Sequence, residues 1–151
     1  MLDSEKEVRH DYTDEHRGII QFQDRFNQPL LFQGMTFDKI CPTDIDAFTE
    51  YHNRFFIIME VKYQDAPLSY GQETALSRLA DAIQESHRIA VLFICRHRVS
   101  DRSKPILLKD TMVTDAYYNH QWWKVKPRRT DEVWHYAMQW AKNREKSNGF
   151  I

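Results

Sequence analysis

The chain has 151 residues, of which 42% are hydrophobic and 28% charged, with only four Gly and five Pro. That size and balance exclude a disordered or fibrous polypeptide and fit one domain around a single core. A formal net charge of −1 gives no overall attraction to nucleic acid, so a polyanion-binding surface would have to come from local clustering of basic residues.

Residues up to about Thr13 read as a charged lead-in without a signal-peptide pattern. Ile19, Ile20, Phe22 and Phe26 allow a short helix over 14–26, thin on its apolar face and interrupted by Gly18. A first strand is expected over 30–32 and 36–40, broken at Gly34. Next comes a hairpin. Asp44, Asp46, Phe48 and Glu50 share one face of its first strand, the YHNR turn follows, and the second strand is the apolar run Phe55 to Met59 ending in Glu60 and Lys62. Taking Asn53 as the centre of the turn sets Asp46 opposite Glu60 and Asp44 opposite Lys62.

The loop YQDAPLSYGQ leads into a helix over Gln72–Glu85. Ala75, Leu76, Leu79, Ala80 and Ile83 recur there at spacings of three and four, with Ser69 as a cap. Ile89–Cys95 is a continuous apolar strand, as expected for a buried central position. A strand–helix–strand unit of this kind predicts a right-handed crossover and two parallel neighbours. A basic loop from Arg96 to Pro105 precedes an aromatic hairpin, Asp110–Tyr118 and Gln121–Val125, around Asn119-His120. A closing helix over Thr130–Asn143 carries Val133, Trp134, Ala137, Met138 and Ala141 on one side. The expected fold is α/β, a mixed sheet flanked by helices. It forms one domain over 1–151, with a core at about 14–97 and a hairpin–helix extension at about 104–146. The longest apolar runs fall far short of a membrane span, and two cysteines make no secreted disulfide scaffold. Cys95 packs like a small hydrophobe, so the expected setting is reducing and cytoplasmic, with no membrane partner.

Glu60 and Lys62 stand where the apolar strand ends, and charge buried there costs free energy unless a metal or a partner compensates it. With Asp44 and Asp46 on the paired strand, four charged groups converge on one face. An acid two residues before a lysine is by itself what chance supplies, roughly one triplet in a chain of this composition. Specificity comes from the context of apolar strand, preceding acids and following helix. The structural alternative is a cross-strand salt bridge between Asp44 and Lys62. Basic residues cluster as Arg96, His97, Arg98, Arg102 and Lys104, then as Lys124, Lys126, Arg128 and Arg129, either as solvated turns or as phosphate contacts. Trp122-Trp123 and Tyr117-Tyr118 either stack on unpaired bases or, the favoured reading, pack the hairpin onto a helix near Trp134 and Met138. The histidines show no zinc-ligand spacing with the two cysteines and read as surface residues.

The segments Pro42-Thr43-Asp44-Ile45-Asp46, Ile57-Ile58-Met59-Glu60-Val61-Lys62 and Gly71-Gln72 together resemble the PD-(D/E)XK nuclease superfamily. The resemblance spans about Gly34 to His97 and is closest to small phage-encoded or resolvase-like members. It implies a restriction-endonuclease-like αβββαβ core and Mg²⁺- or Mn²⁺-dependent hydrolysis of DNA phosphodiester bonds. The implied activity is endonucleolytic, in phage or mobile-element DNA processing or recombination, and located in the host cytoplasm if phage-encoded. By the same resemblance Asp46 and Glu60 hold the metal, the Val61 carbonyl is a further ligand, and Lys62 orients or activates the attacking water. Asp44 competes with Asp46, which is preferred because a hydrophobic stretch follows it and the register sets it opposite Glu60. Gln72 matches a glutamine that some relatives place at the site, or is a plain polar residue at a helix start. The superfamily often adds an acid from its first helix, here Glu15. Implied partners are DNA, contacted through Arg96, Arg98, Arg102, Lys104, Lys124, Lys126, Arg128 and Arg129, and a second copy in a homodimer. Two other classes compete: a DNA-binding accessory protein of the same fold that does not cut, and a protein-interaction domain docking through its aromatic C-terminal part.

Overall fold

The structure is a computed structural model that describes residues 30–148. The expected lead-in, the helix over 14–26 and Glu15 lie outside the described residues. The chain divides into two units between Pro42 and Thr43.

In the first unit the strand expected over 30–40 does not form among the described residues. The Met35 N–H bonds to the Phe32 carbonyl at 2.9 Å around Gly34, whose φ is +82°. Phe37 and Ile40 exchange hydrogen bonds of 2.9 and 2.8 Å around Asp38 and Lys39, both left-handed with φ of +47° and +66°. Two reversals this close together leave no extended run long enough to pair, so turn chemistry outweighs the apolar pattern.

The second unit is mixed α/β. Its strands are β1 (Ala47–Tyr51), β2 (Phe55–Tyr63), β3 (Ile89–His97), β4 (Met112–Tyr118) and β5 (Gln121–Arg129). The helices are α1 (Tyr70–Glu85) and α2 (Thr130–Asn148), with a 3₁₀ turn at Leu108–Asp110. The sheet order is β1-β2-β3-β4-β5; β2 and β3, joined through α1, run parallel, and the other neighbours are antiparallel. Both hairpins turn on two consecutive left-handed residues, His52-Asn53 and Asn119-His120, a conformation that matches the twist of the flanking strands. The β1–β2 register runs from Ala47 opposite Met59 to Tyr51 opposite Phe55. Continued by one residue, it sets Asp46 opposite Glu60, as the turn centre at Asn53 predicts. Both aspartates precede β1, however, rather than opening it.

Alternation along β2 explains the layering. Phe55, Ile57 and Met59 pack with Val91, Cys95 and Val113 against Ala137 and Ala141 of α2. Phe56 and Ile58 pack with Leu92 and Ile94 against Leu76, Ala80 and Ile83 of α1. The segment expected as a C-terminal extension is therefore integral: β4 pairs with β3, and α2 covers one whole face. Tyr117 packs into the α1 layer, and Trp122 meets it edge-on at 5.2 Å between ring centroids. The expected packing of Trp122 and Trp123 onto Trp134 and Met138 is not formed. Those two α2 residues pack on the opposite layer, where the Trp134 indole N–H donates to Thr49 Oγ1 at 3.0 Å, and Trp122 and Trp123 remain exposed. Among the described residues no helix is long and apolar enough to cross a membrane.

The joint between β4 and α2 is a buried threonine pair. Thr111 and Thr130 share a hydroxyl hydrogen bond of 2.6 Å, and the Thr130 N–H donates to the Thr111 carbonyl at 2.8 Å. Cys95 is buried in the α2 layer, and burial pushes its thiol up to about 11 against the opposing hydrogen bonds of Thr130 and Thr111. Thiolate is the reactive form, so native Cys95 is expected to resist iodoacetamide at pH 8 while exposed Cys41 is alkylated. Peptide mapping of the labelled protein checks this, and equal modification of both thiols would contradict the packing.

Candidate functional site

Glu60 and Lys62 continue the row that Phe56 and Ile58 begin on β2, so both belong to the α1 face. On α1, Gln72 stands one turn before Leu76, a fully buried residue of that same layer. The sequence thus brings a carboxylate, an ammonium and an amide together where β2 runs out under the start of α1. The Gln72 Nε2 donates to Glu60 Oε1 at 2.9 Å, and the Lys62 Nζ donates to Gln72 Oε1 at 2.8 Å. Lys62 Nζ also lies 3.0 Å from Glu60 Oε1. The amide orientation follows from its neighbours, because a carboxylate only accepts and an ammonium only donates.

The helix start holds Gln72 in place. Ser69 accepts the Gln72 N–H at 3.2 Å, and the Gln72 side chain accepts the Ser69 N–H at 3.4 Å, a reciprocal capping box. This arrangement also explains why α1 begins at Tyr70, two residues before the apolar periodicity predicts. Asp46 enters from the bend before β1, where its Oδ2 accepts the Val61 N–H at 2.8 Å. That bond continues the hairpin pairing with a side chain in place of a backbone carbonyl.

Glu60 is the outlier in this cluster. Only 3% of it is exposed, and its Oε2 has no hydrogen-bond partner. Desolvation holds its carboxyl above the ordinary range. The Lys62 hydrogen bond and charge oppose that rise, while the charges of Asp46 and, more weakly, Asp44 add to it. An orphaned carboxylate oxygen in a buried position is what a bound cation would satisfy. The donors fit Mg²⁺ or Mn²⁺, which take oxygen ligands and commonly use one or two protein carboxylates beside water and substrate phosphate. Among the described residues no group of three or more His, Cys, Asp or Glu is placed to hold a metal. Asp46 and Glu60 would therefore be the side-chain ligands, supplemented by a backbone carbonyl such as that of Val61. Asp44 and Asp46 are both exposed, and Lys62 pairs with Glu60 rather than with Asp44.

The basic residues separate into two groups. Arg96 is a structural staple: its Nη1 donates to the carbonyls of Gln64 (2.9 Å) and Ala66 (2.7 Å), and its Nε to Thr114 Oγ1 (3.2 Å). Lys124 pairs with Asp115 at 2.5 Å, and Arg129 with Asp110 and Asp131 at 3.2 and 3.1 Å. Arg98, Arg102, Lys104, Lys126 and Arg128 are exposed. Asp115 is the hub that the sequence does not reveal. Burial works against its ionisation, yet the hydrogen bonds of Lys124 and Thr114 and the charges of Lys124 and Arg96 hold it below the usual carboxylate range. Its role depends on pairing across β3, β4 and β5, which no local pattern encodes. Two histidines act as latches at hairpin tips: His52 bonds to Glu145 at 2.8 Å beside the Tyr51 hydroxyl, and His120 to Asp81 at 2.9 Å beside that of Tyr117.

Comparison with protein-family models, curated proteins and solved structures finds no match.

Arg96→Ala should lower stability by roughly 2 kcal/mol in urea unfolding, since it removes charged hydrogen bonds to two carbonyls. Arg98→Ala should leave stability unchanged. Equal stabilities for the two variants would contradict the staple. The raised carboxyl of Glu60 makes a second expectation. Its proton is held more tightly in the folded state, so this contribution favours folding below the ordinary glutamate range and is lost as pH rises through the raised value. Glu60→Gln should therefore gain melting temperature relative to wild type as pH increases from 4.5 to 8 in EDTA. A difference that does not vary with pH would show that Glu60 is not strained by burial.

Proposed function

We propose that the chain is a divalent-metal-dependent deoxyribonuclease that hydrolyses DNA phosphodiester bonds endonucleolytically, on a restriction-endonuclease-like α/β core. The observation that carries this reading is the cluster of Glu60, Lys62 and Gln72 where β2 ends, with Asp46 bonded to the adjacent Val61 N–H and one buried carboxylate oxygen of Glu60 left without a partner. The β1–β2 hairpin, the α1 crossover and the parallel strand β3 support part of the order of elements that the resemblance implies. One departure is the missing strand before β1 among the described residues, so the reading rests on the hairpin and the β2–α1–β3 unit.

Within this reading each residue has a distinct task. Glu60 and Asp46 would hold one cation through their carboxylate oxygens, with Asp46 oriented by the Val61 N–H. Such an ion, when bound, would offset charge on the phosphoryl oxygens and favour ionisation of the attacking water. Lys62, held by both Glu60 and Gln72, keeps an ammonium at the same point, where it offsets charge developing on the reacting oxygens. Gln72 is a positioning residue, since its amide bridges the carboxylate and the ammonium and fixes both. A protein that only bound DNA, or only docked a protein, would gain nothing from a buried carboxylate with an orphaned oxygen. That asymmetry favours the enzyme over both alternatives.

The test is incubation of the purified protein with plasmid, branched and single-stranded DNA in Mg²⁺, Mn²⁺ or EDTA. Cutting in the presence of metal, abolished by EDTA, is the expected result. Lys62→Gln keeps a donor toward Glu60 but removes the charge, and should reduce the cleavage rate by roughly 100-fold or more with DNA binding retained. Metal-independent binding without cutting would instead support the accessory protein, and neither binding nor cutting the interaction domain. Wild-type cleavage by Lys62→Gln would remove Lys62 from the chemistry.

A further inference from the structure

The second unit has a cleft of about 980 Å³ whose lining contains none of Asp46, Glu60, Lys62 and Gln72. It lies beyond the C-terminal ends of the parallel strands β2 and β3, the position where open α/β sheets commonly bind ligands. Val99, Ile106 and Leu107 give it an apolar wall, and Gln64, Asp65 and Arg98 give it polar and charged groups. Lys62 is the direct neighbour of Arg96 across β2 and β3, and Arg96 contributes to the lining. Gln64, in the turn that follows β2, is two residues past Lys62. Through Arg96 and Gln64 the cleft adjoins the strand end that carries Lys62. The loop that closes it carries Arg98, Arg102 and Lys104, all exposed.

We infer that this cleft takes an unpaired nucleotide next to the cleaved bond, so that the preferred substrate is DNA with a single-stranded or branched segment rather than continuous duplex. The inference rests on the phosphodiesterase reading and specifies its substrate. The chemistry of the lining selects the occupant. An apolar wall matches the face of a base, and the Asp65 carboxylate and Gln64 amide can bond to the polar edge of that base. The Arg98 guanidinium at the rim matches its phosphate. In a duplex the base faces are stacked and the polar edges paired, so a base enters a concave recess only when it is already unpaired or is extruded against its stacking and pairing. A strand that is single from the start avoids that cost, which makes the cleft a discriminator of DNA structure. Sequence preference is not required, because apolar and aromatic walls accept every base.

The experiment measures binding in EDTA, where cutting is suppressed, using fluorescent oligonucleotides of equal length as duplex, flap and single strand. Cutting of the same oligonucleotides is then followed in Mg²⁺. Wild type should bind the flap and single strand about tenfold more tightly than the duplex. Leu107→Glu and Ile106→Glu, two exposed positions where a longer charged side chain fills the cleft and repels a base and its phosphate with little risk to the core, should each abolish that preference. Arg98→Ala should weaken binding of the flap and the single strand more than that of the duplex. Equal affinity of wild type for all three, or an intact preference in both filled variants, would overturn the assignment. Cleft-dependent binding of unpaired strands with no metal-dependent cutting would keep the nucleotide site and overturn the phosphodiesterase reading instead.

Discussion

A glutamate carboxylate sits where the hydrophobic interior ends, and much of the second unit is arranged around it. Glu60 follows Met59 directly, in a strand whose preceding residues are packed on both faces, and it is itself almost fully enclosed. Taking an ion that far from water costs several kcal/mol unless opposite charge and hydrogen bonds make up the difference. Lys62 and Gln72 satisfy one of its oxygens and leave the other unmatched. A fold built only for stability would place a leucine or methionine here.

The elements around Glu60 make sense as the means of holding that arrangement still. Strand β2 is anchored from both sides, by Ala137 and Ala141 of α2 on one face and by Leu76 and Ala80 of α1 on the other. The end of β2 therefore has little freedom to relax away from its charge. The Ser69 capping box fixes the first turn of α1, and with it the amide that joins Lys62 to Glu60. Arg96 ties the loop after β2 to β3 and β4, so the chain leaving the site is held as firmly as the chain entering it. Rigid support of this kind is what preorganised electrostatics require, because donors that must first reorganise lose most of their effect.

Much of this was legible in the sequence because it is periodic or local. The continuous apolar run from Phe55 to Met59 and the helical spacing of Leu76, Ala80 and Ile83 identify β2 and α1. Asn53 and Asn119 mark the turns because asparagine tolerates left-handed backbone. The β1–β2 register, and with it the approach of Asp46 to Glu60, follows from the turn. What stayed hidden is long-range. Nothing local to Val113–Asp115 announces the bulge that brings Asp115 between Arg96 and Lys124, or that a segment read as an appendix supplies a whole layer of the fold. The strand expected at 30–40 fails for the opposite reason: its apolar pattern was legible, but Asp38-Lys39 reverses the chain within it. The aromatic hairpin was misplaced because alternation assigns faces only relative to one another, and the sequence does not say which helix covers which face.

The central claim is that Asp46 and Glu60 together hold one divalent cation. Electron paramagnetic resonance of Mn²⁺ titrated into the metal-free protein tests it most directly, since bound and free Mn²⁺ give separate signals and no substrate is needed. One equivalent should bind to wild type, binding should fall sharply in both Asp46→Asn and Glu60→Gln, and it should persist in Lys62→Gln. Binding of undiminished strength in the two carboxylate variants would contradict the account.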